Sequence, residues 1–166
     1  MNNPINKYGL IAGGSTVLAF LLVYFINKAW MVNYLLYYGT LLIYLLAMVM
    51  AVRSQRTLQG DALTFREGLR VAFAVFVIAN ALFYVFYYLI HQIDPSLAVM
   101  QKEAMREMLP KVMPKDELAR ALEELEKTDM RETLSTVFMG FARGAMGGFI
   151  LSLIIAYIYK TESPKL

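Results

Sequence analysis

Few side chains in this 166-residue chain could do chemistry, and most of them lie beside hydrophobic runs. Arg143 stands inside GFARGAMGG, residues 140–148. A permanent charge there needs an anionic ligand or lipid phosphate, a carboxylate partner, or a route by which its long side chain reaches the headgroups. Asp94 is the best acid for it and Glu132 the alternative. His91 falls near the same level, so His91, Asp94 and Arg143 could form a small polar site. A histidine beside an aspartate can shuttle protons or sense pH; a histidine at a helix end is also an ordinary interface residue. Asn80 sits in the middle of an apolar run, where a buried amide either hydrogen-bonds to another helix or marks a transport path. No run has an acidic residue in its central part, so an obvious proton or cation relay is missing. Met100, Met105, Met108 and Met113 cluster, and Met105 with Met108 offers two thioethers on one helix face. Thioethers bind Cu(I), but apolar packing explains them more simply.

Other chemistry is excluded. The chain has no cysteine and one histidine, which removes disulfides, thiolate chemistry and multi-histidine metal sites. No serine or threonine is assigned as a nucleophile by spacing. The chain is expected to be no enzyme and to hold no cofactor or metal.

The elements that must position these residues are membrane spans. Hydrophobic residues make up 58% of the chain and charged residues 17%, with mean hydropathy +0.49, against about 25% charged in a soluble domain. Four apolar runs cover about residues 8–26, 31–52, 69–90 and 139–159, each near the roughly 20 residues that cross a bilayer as a helix. The fold expected is all-α: an integral membrane protein of four transmembrane helices, with a helical segment, residues 95–135, between the third and fourth. The first run lacks a small-x-small cleavage site and reads as a retained span, not a signal. The formal charge of +3 does not point to nucleic acid, because the basic residues flank the runs.

Arg53, Arg56, Arg66 and Arg70 lie between the second and third runs, against Lys28 alone between the first and second. The positive-inside rule then puts both termini in the cytoplasm and the acidic 91–138 connection outside. The four arginines also suit lipid phosphates. Trp30, Tyr34, Tyr37 and Tyr38 suit an aromatic belt.

Local signals set the helix ends. Gly60–Asp61 makes a turn, and Thr64 with Glu67 matches a capping box. Asp94–Pro95 fits the start of a new helix. Leu97, Met100, Ala104 and Met108 form one apolar stripe, and Leu118, Leu122 and Leu125 a second, with Pro110 and Pro114 breaking the pattern between them. Asp129 and Glu132 match a second capping box, from which the last helix would run.

Gly140, Gly144 and Gly148 recur every four residues, and Gly9 and Gly13 form a second strip. Such strips let helix backbones approach closely in lipid. The first should lie near the outer face and the second near the cytoplasm, so each needs its own neighbour, in the bundle or in another subunit.

The stretches YGLIAG, RSQRTLQGDALTFREGLRVAF and QIDPSL carry a resemblance. The chain resembles the bacterial four-helix membrane proteins of domain-of-unknown-function family 4199 over roughly residues 5–160. The resemblance implies a fold and a membrane, and supplies no catalytic residue. The expected function is a small scaffold or interaction protein of the bacterial plasma membrane, contacting a partner through residues 95–135 and open to homo-oligomerisation. The alternative is a small transporter or channel using Asn80 and the polar cluster of His91, Asp94 and Arg143.

Overall fold

The computed structural model describes residues 3–161, without the Tyr34 side chain. Among these residues are six α-helices and no strand: α1 (Pro4–Ile26), α2 (Tyr34–Leu58), α3 (Phe65–Ile93), α4 (Ser96–Val112), α5 (Lys115–Lys127) and α6 (Leu134–Tyr159), with a short 3-10 turn, Lys28–Val32, between α1 and α2. α1, α2, α3 and α6 are long and apolar enough to cross a membrane. One end of the bundle carries the arginine-rich α2–α3 loop, and the other carries the α4–α5 hairpin.

Three asparagines start elements at points where composition gives little warning. Asn3 accepts from Ile5 N at 2.9 Å, Asn27 from Ala29 N at 3.0 Å and Asn33 from Leu35 N at 2.9 Å. Each satisfies a backbone donor that a helix start leaves free. The second span therefore begins as a helix at Tyr34, after the 3-10 turn, and not at residue 31. Gly60 and Asp61 both have positive φ, 67° and 64°, and make the expected reversal. Thr64 and Glu67 form their reciprocal capping box.

Two expected boundaries are corrected. The box that opens α6 is Thr133 with Thr136. Asp129 is taken by Arg131, whose Nη2 donates to it at 2.6 Å, and the Glu132 carboxylate instead accepts the Thr136 hydroxyl at 2.7 Å. Pro110 does not break α4, which continues to Val112. It lies two residues before the helix end, so only Lys111 and Val112 follow the i−4 hydrogen bond that its missing N–H removes.

α3 is the axis. It packs on α1, α2 and α6, and its two broadest seams are with α6 and α1. Gly9 faces Ile78, and Gly13 faces Leu82 and Ala79. Gly140 faces Tyr84, Gly144 faces Asn80 and Gly148 faces Phe76. The two strips thus share one neighbour and overlap in depth, contrary to the expectation of separate partners. The reason is length: α3 begins before the level at which α1 starts, so Gly9 near the start of α1 meets the middle of α3. Around these seams Tyr44, Met48, Val75 and Phe76 join one buried cluster. Phe20, Met31, Phe83 and Tyr87 join another, nearer the hairpin.

The arginine end is closed by an exchange that pattern reading does not reveal. Thr161 N donates to Leu63 O at 2.8 Å, and Leu63 N donates to Thr161 Oγ1 at 2.6 Å. The α2–α3 loop is thereby tied to the end of α6.

A Cβ at Gly148 would stand 2.2 Å from the Phe76 ring, whereas one at Gly147 would meet nothing within 4 Å. Gly148→Ala should destabilise the bundle by about 1–3 kcal/mol through overpacking. Gly147→Ala should be neutral or slightly stabilising. Unfolding titrations in mixed detergent distinguish the two.

Candidate functional site at the hairpin end

α3 ends at Ile93, and Asp94 follows as its cap. The parallel register of α1 on α3 carries the end of α1 to the same level. The Tyr24 hydroxyl donates to Asp94 Oδ2 at 2.9 Å, and Lys28 Nζ donates to the same oxygen and forms an ion pair with it. On the other oxygen, Asp94 Oδ1 accepts from Ser96 N at 3.1 Å and from the Ser96 hydroxyl at 2.6 Å. One carboxylate therefore holds the end of α1, the 3-10 turn and the first turn of α4. Lys28 also lies 5.0 Å from the Tyr24 ring centroid, a cation–π contact. These hydrogen bonds, with Lys28's foremost and those of Ser96 and Tyr24 behind it, hold the Asp94 carboxyl well below the usual carboxylate range. The same Asp94 hydrogen bond raises the Lys28 ammonium.

The three-residue polar cluster expected from the sequence is not assembled. Asp94 is engaged by Lys28. His91 is buried and turns its Nδ1 to Tyr87 O at 2.8 Å. A carbonyl only accepts, so Nδ1 carries the hydrogen, and the ring lies 4.1 Å from the Tyr87 ring. Arg143 is deeper than expected. α6 starts at Leu134, so nine residues precede Arg143, about 13 Å of helix. With Gly144 on Asn80, Arg143 stands near the middle of α3, roughly ten residues or ~15 Å below the His91 level. It is exposed, and among the described residues no carboxylate pairs with it. A cation at such a depth carries a cost of about 2.5–3.5 kcal/mol by insertion scales unless something compensates it. Asn80 behaves as a structural amide: it is buried, and its Nδ2 donates to Phe141 O on α6 at 3.2 Å.

The feature that pattern reading missed is a cavity of about 560 Å³ at the hairpin end. α2 supplies Tyr37 and Tyr38, α3 supplies Phe83, Tyr84 and Tyr87, and α6 supplies Thr136, Val137 and Gly140. Gln101 and Met105 of α4 roof it, and Glu132 stands at its rim. Phe20 packs on two of these wall residues, Tyr37 and Phe83, at 5.2 and 5.0 Å. Gln101 donates to the Tyr87 hydroxyl, locking α4 to α3. Tyr37 therefore faces inward and is not a belt residue, whereas Trp30 and Tyr38 are exposed as a belt requires. The four-residue rhythm of Tyr84 with Phe83 and Tyr87 was the available signal, but it reads equally as core.

The arginine end differs. Arg53, Arg66 and Arg70 are exposed, as contact with lipid phosphates requires. Arg56 turns back to Asp61, with Nε 3.6 Å from Oδ1. Among the described residues no group of three or more His, Cys, Asp or Glu could hold a metal ion.

The Asp94 carboxyl is depressed, so its contribution is present above the ordinary value near pH 4 and is lost only as pH falls through a lower one. The Lys28 ammonium is raised, so its contribution is present below about pH 10 and is lost as pH rises past that. Docking of α4 should therefore be constant from about pH 5 to about pH 9. Asp94→Asn should speed amide exchange in residues 28–33 and 96–100 and leave the middle of α3 protected. Hydrogen-exchange mass spectrometry reads both.

No curated protein and no solved structure matches the chain. The family model described as protein of unknown function (DUF4199) matches residues 7–161. That match spans nearly the whole chain, from the first turn of α1 to the threonine that ties α6 to the α2–α3 loop, and the chain belongs to this family of proteins of unknown function.

Proposed function

We propose that this protein is a small multi-pass scaffold or interaction protein of the bacterial plasma membrane, with both termini in the cytoplasm and the α4–α5 hairpin outside as its contact surface. One observation carries the reading. The hairpin is anchored by buried Leu97 and Leu125 and by the Asp94 clamp, yet its charged faces are left to solvent. Glu103 and Glu107 of α4, and Asp116, Glu117, Glu123 and Glu124 of α5, are all exposed. Within the hairpin, Lys102 and Arg106 both pair with Glu126, which sets the two helices against each other. The exposed acids of this amphipathic hairpin suit the basic groups of a partner surface. The transporter alternative has less behind it. The bundle interior is filled by apolar and aromatic side chains, and the Asn80 amide is already engaged by a backbone carbonyl.

Charge reversal at Glu117, Glu123 and Glu124 should abolish most crosslinks formed by a photo-reactive residue at position 120 in native membranes. Unchanged crosslinks would count against the hairpin as the contact surface. In this cysteine-free chain, Arg120→Cys should react with an impermeant maleimide from outside the cell. Labelling only after lysis would reverse the orientation.

A further inference from the structure

One unmatched charge lines the cavity at the hairpin end, and a second lies on α6 one helical turn below its lowest wall residue, Gly140. Glu132 lines its rim, and among the described residues no cation pairs with its carboxylate. Arg143 has no acid. Thr136, Gly140 and Arg143 recur at helical spacing on α6, so Arg143 continues downward the row that Thr136 and Gly140 form in the cavity wall. Side chains on a helix lean towards its N-terminus, which for α6 is towards the cavity.

The cavity has a back wall on α3, side walls on α2 and α6, and a roof on α4. α2 and α6 touch each other far less than either touches α3, so the cavity opens between them. Exposed Leu42, Leu46, Met146 and Ile150 continue below it on α2 and α6.

We propose that this cavity binds the headgroup of one zwitterionic phospholipid from the leaflet on the hairpin side. The order of charge along the groove matches that ligand. In a zwitterionic phospholipid the ammonium lies outside the phosphate. Here the carboxylate lies at the membrane surface and the guanidinium deeper, reaching up. Glu132 takes the ammonium, over the faces of Tyr38 and Tyr84. Arg143 takes the phosphate through charge-assisted hydrogen bonds. The acyl chains lie on the apolar faces of α2 and α6. An anionic lipid with an uncharged headgroup would satisfy Arg143 and leave Glu132 unpaired.

The test is native mass spectrometry of the full chain extracted from vesicles of equal parts phosphatidylethanolamine, phosphatidylcholine and phosphatidylglycerol. One zwitterionic lipid per chain should be retained in preference to phosphatidylglycerol. Glu132→Gln and Arg143→Gln should each reduce its occupancy about tenfold, the loss expected of one charged hydrogen bond. Arg143→Lys should restore part of it. Glu132 lies outside α6, so its variant probes the site without disturbing a span. Equal retention of phosphatidylglycerol, or occupancy unchanged in Glu132→Gln, would overturn the proposal. So would a lipid-free dimer in which Arg143 crosslinks to an acid of a second copy.

Discussion

Everything in this structure depends on the closeness with which α3 is approached from two sides. In lipid, apolar side chains gain nothing by hiding from their surroundings, so helices associate through backbone proximity and a few polar contacts. Gly9 and Gly13 give α1 that proximity, and Gly140, Gly144 and Gly148 give it to α6. The seams then fix register. On one side they bring Tyr24 and Lys28 level with Asp94. On the other they bring Arg143 level with the middle of α3. The same bare backbone that lets α6 approach leaves room above Gly140 for the cavity.

The two ends of this arrangement are electrostatically unequal. At the end of α3, one carboxylate collects four donors, one of them the Lys28 cation, and the hairpin is held by it. Glu132 at the cavity rim and Arg143, roughly ten residues of helix below the end of α3, have no counter-charge among the described residues. Buried and membrane-depth charges persist where they are paired or functional. The paired group explains how the hairpin is mounted. The unpaired groups explain why a cavity beside it would hold a charged ligand. The structural reading of Asp94 and the ligand reading of Arg143 are thus separate, where the sequence suggested a single cluster.

What could be read from the chain was what period and composition encode. Four spans, the Thr64–Glu67 box, the Gly60–Asp61 turn and the stripes of α4 and α5 all follow from local rules. Helix starts at Asn33 and Thr133 were harder, because Asp129 and Glu132 offered a box of equal quality and only the Arg131 contact decides between them. Pairings between distant residues were not legible. Lys28 and Asp94 are separated by 66 positions, and nothing local says that α1 lies parallel to α3 at that register. Arg143 was placed too near the surface because the apolar run begins later than the helix does.

The central claim is that α6 lies directly on α3 in the register that these glycines allow. The Ala156 Cβ lies 3.5 Å from the position a Cβ would take at Gly68, within disulfide geometry. The most direct measurement is oxidation of Gly68→Cys with Ala156→Cys in native membranes, read as intramolecular closure on a non-reducing gel. The account predicts rapid closure within one chain. A pair that stays reduced in the folded protein, or that closes only between chains, would contradict it.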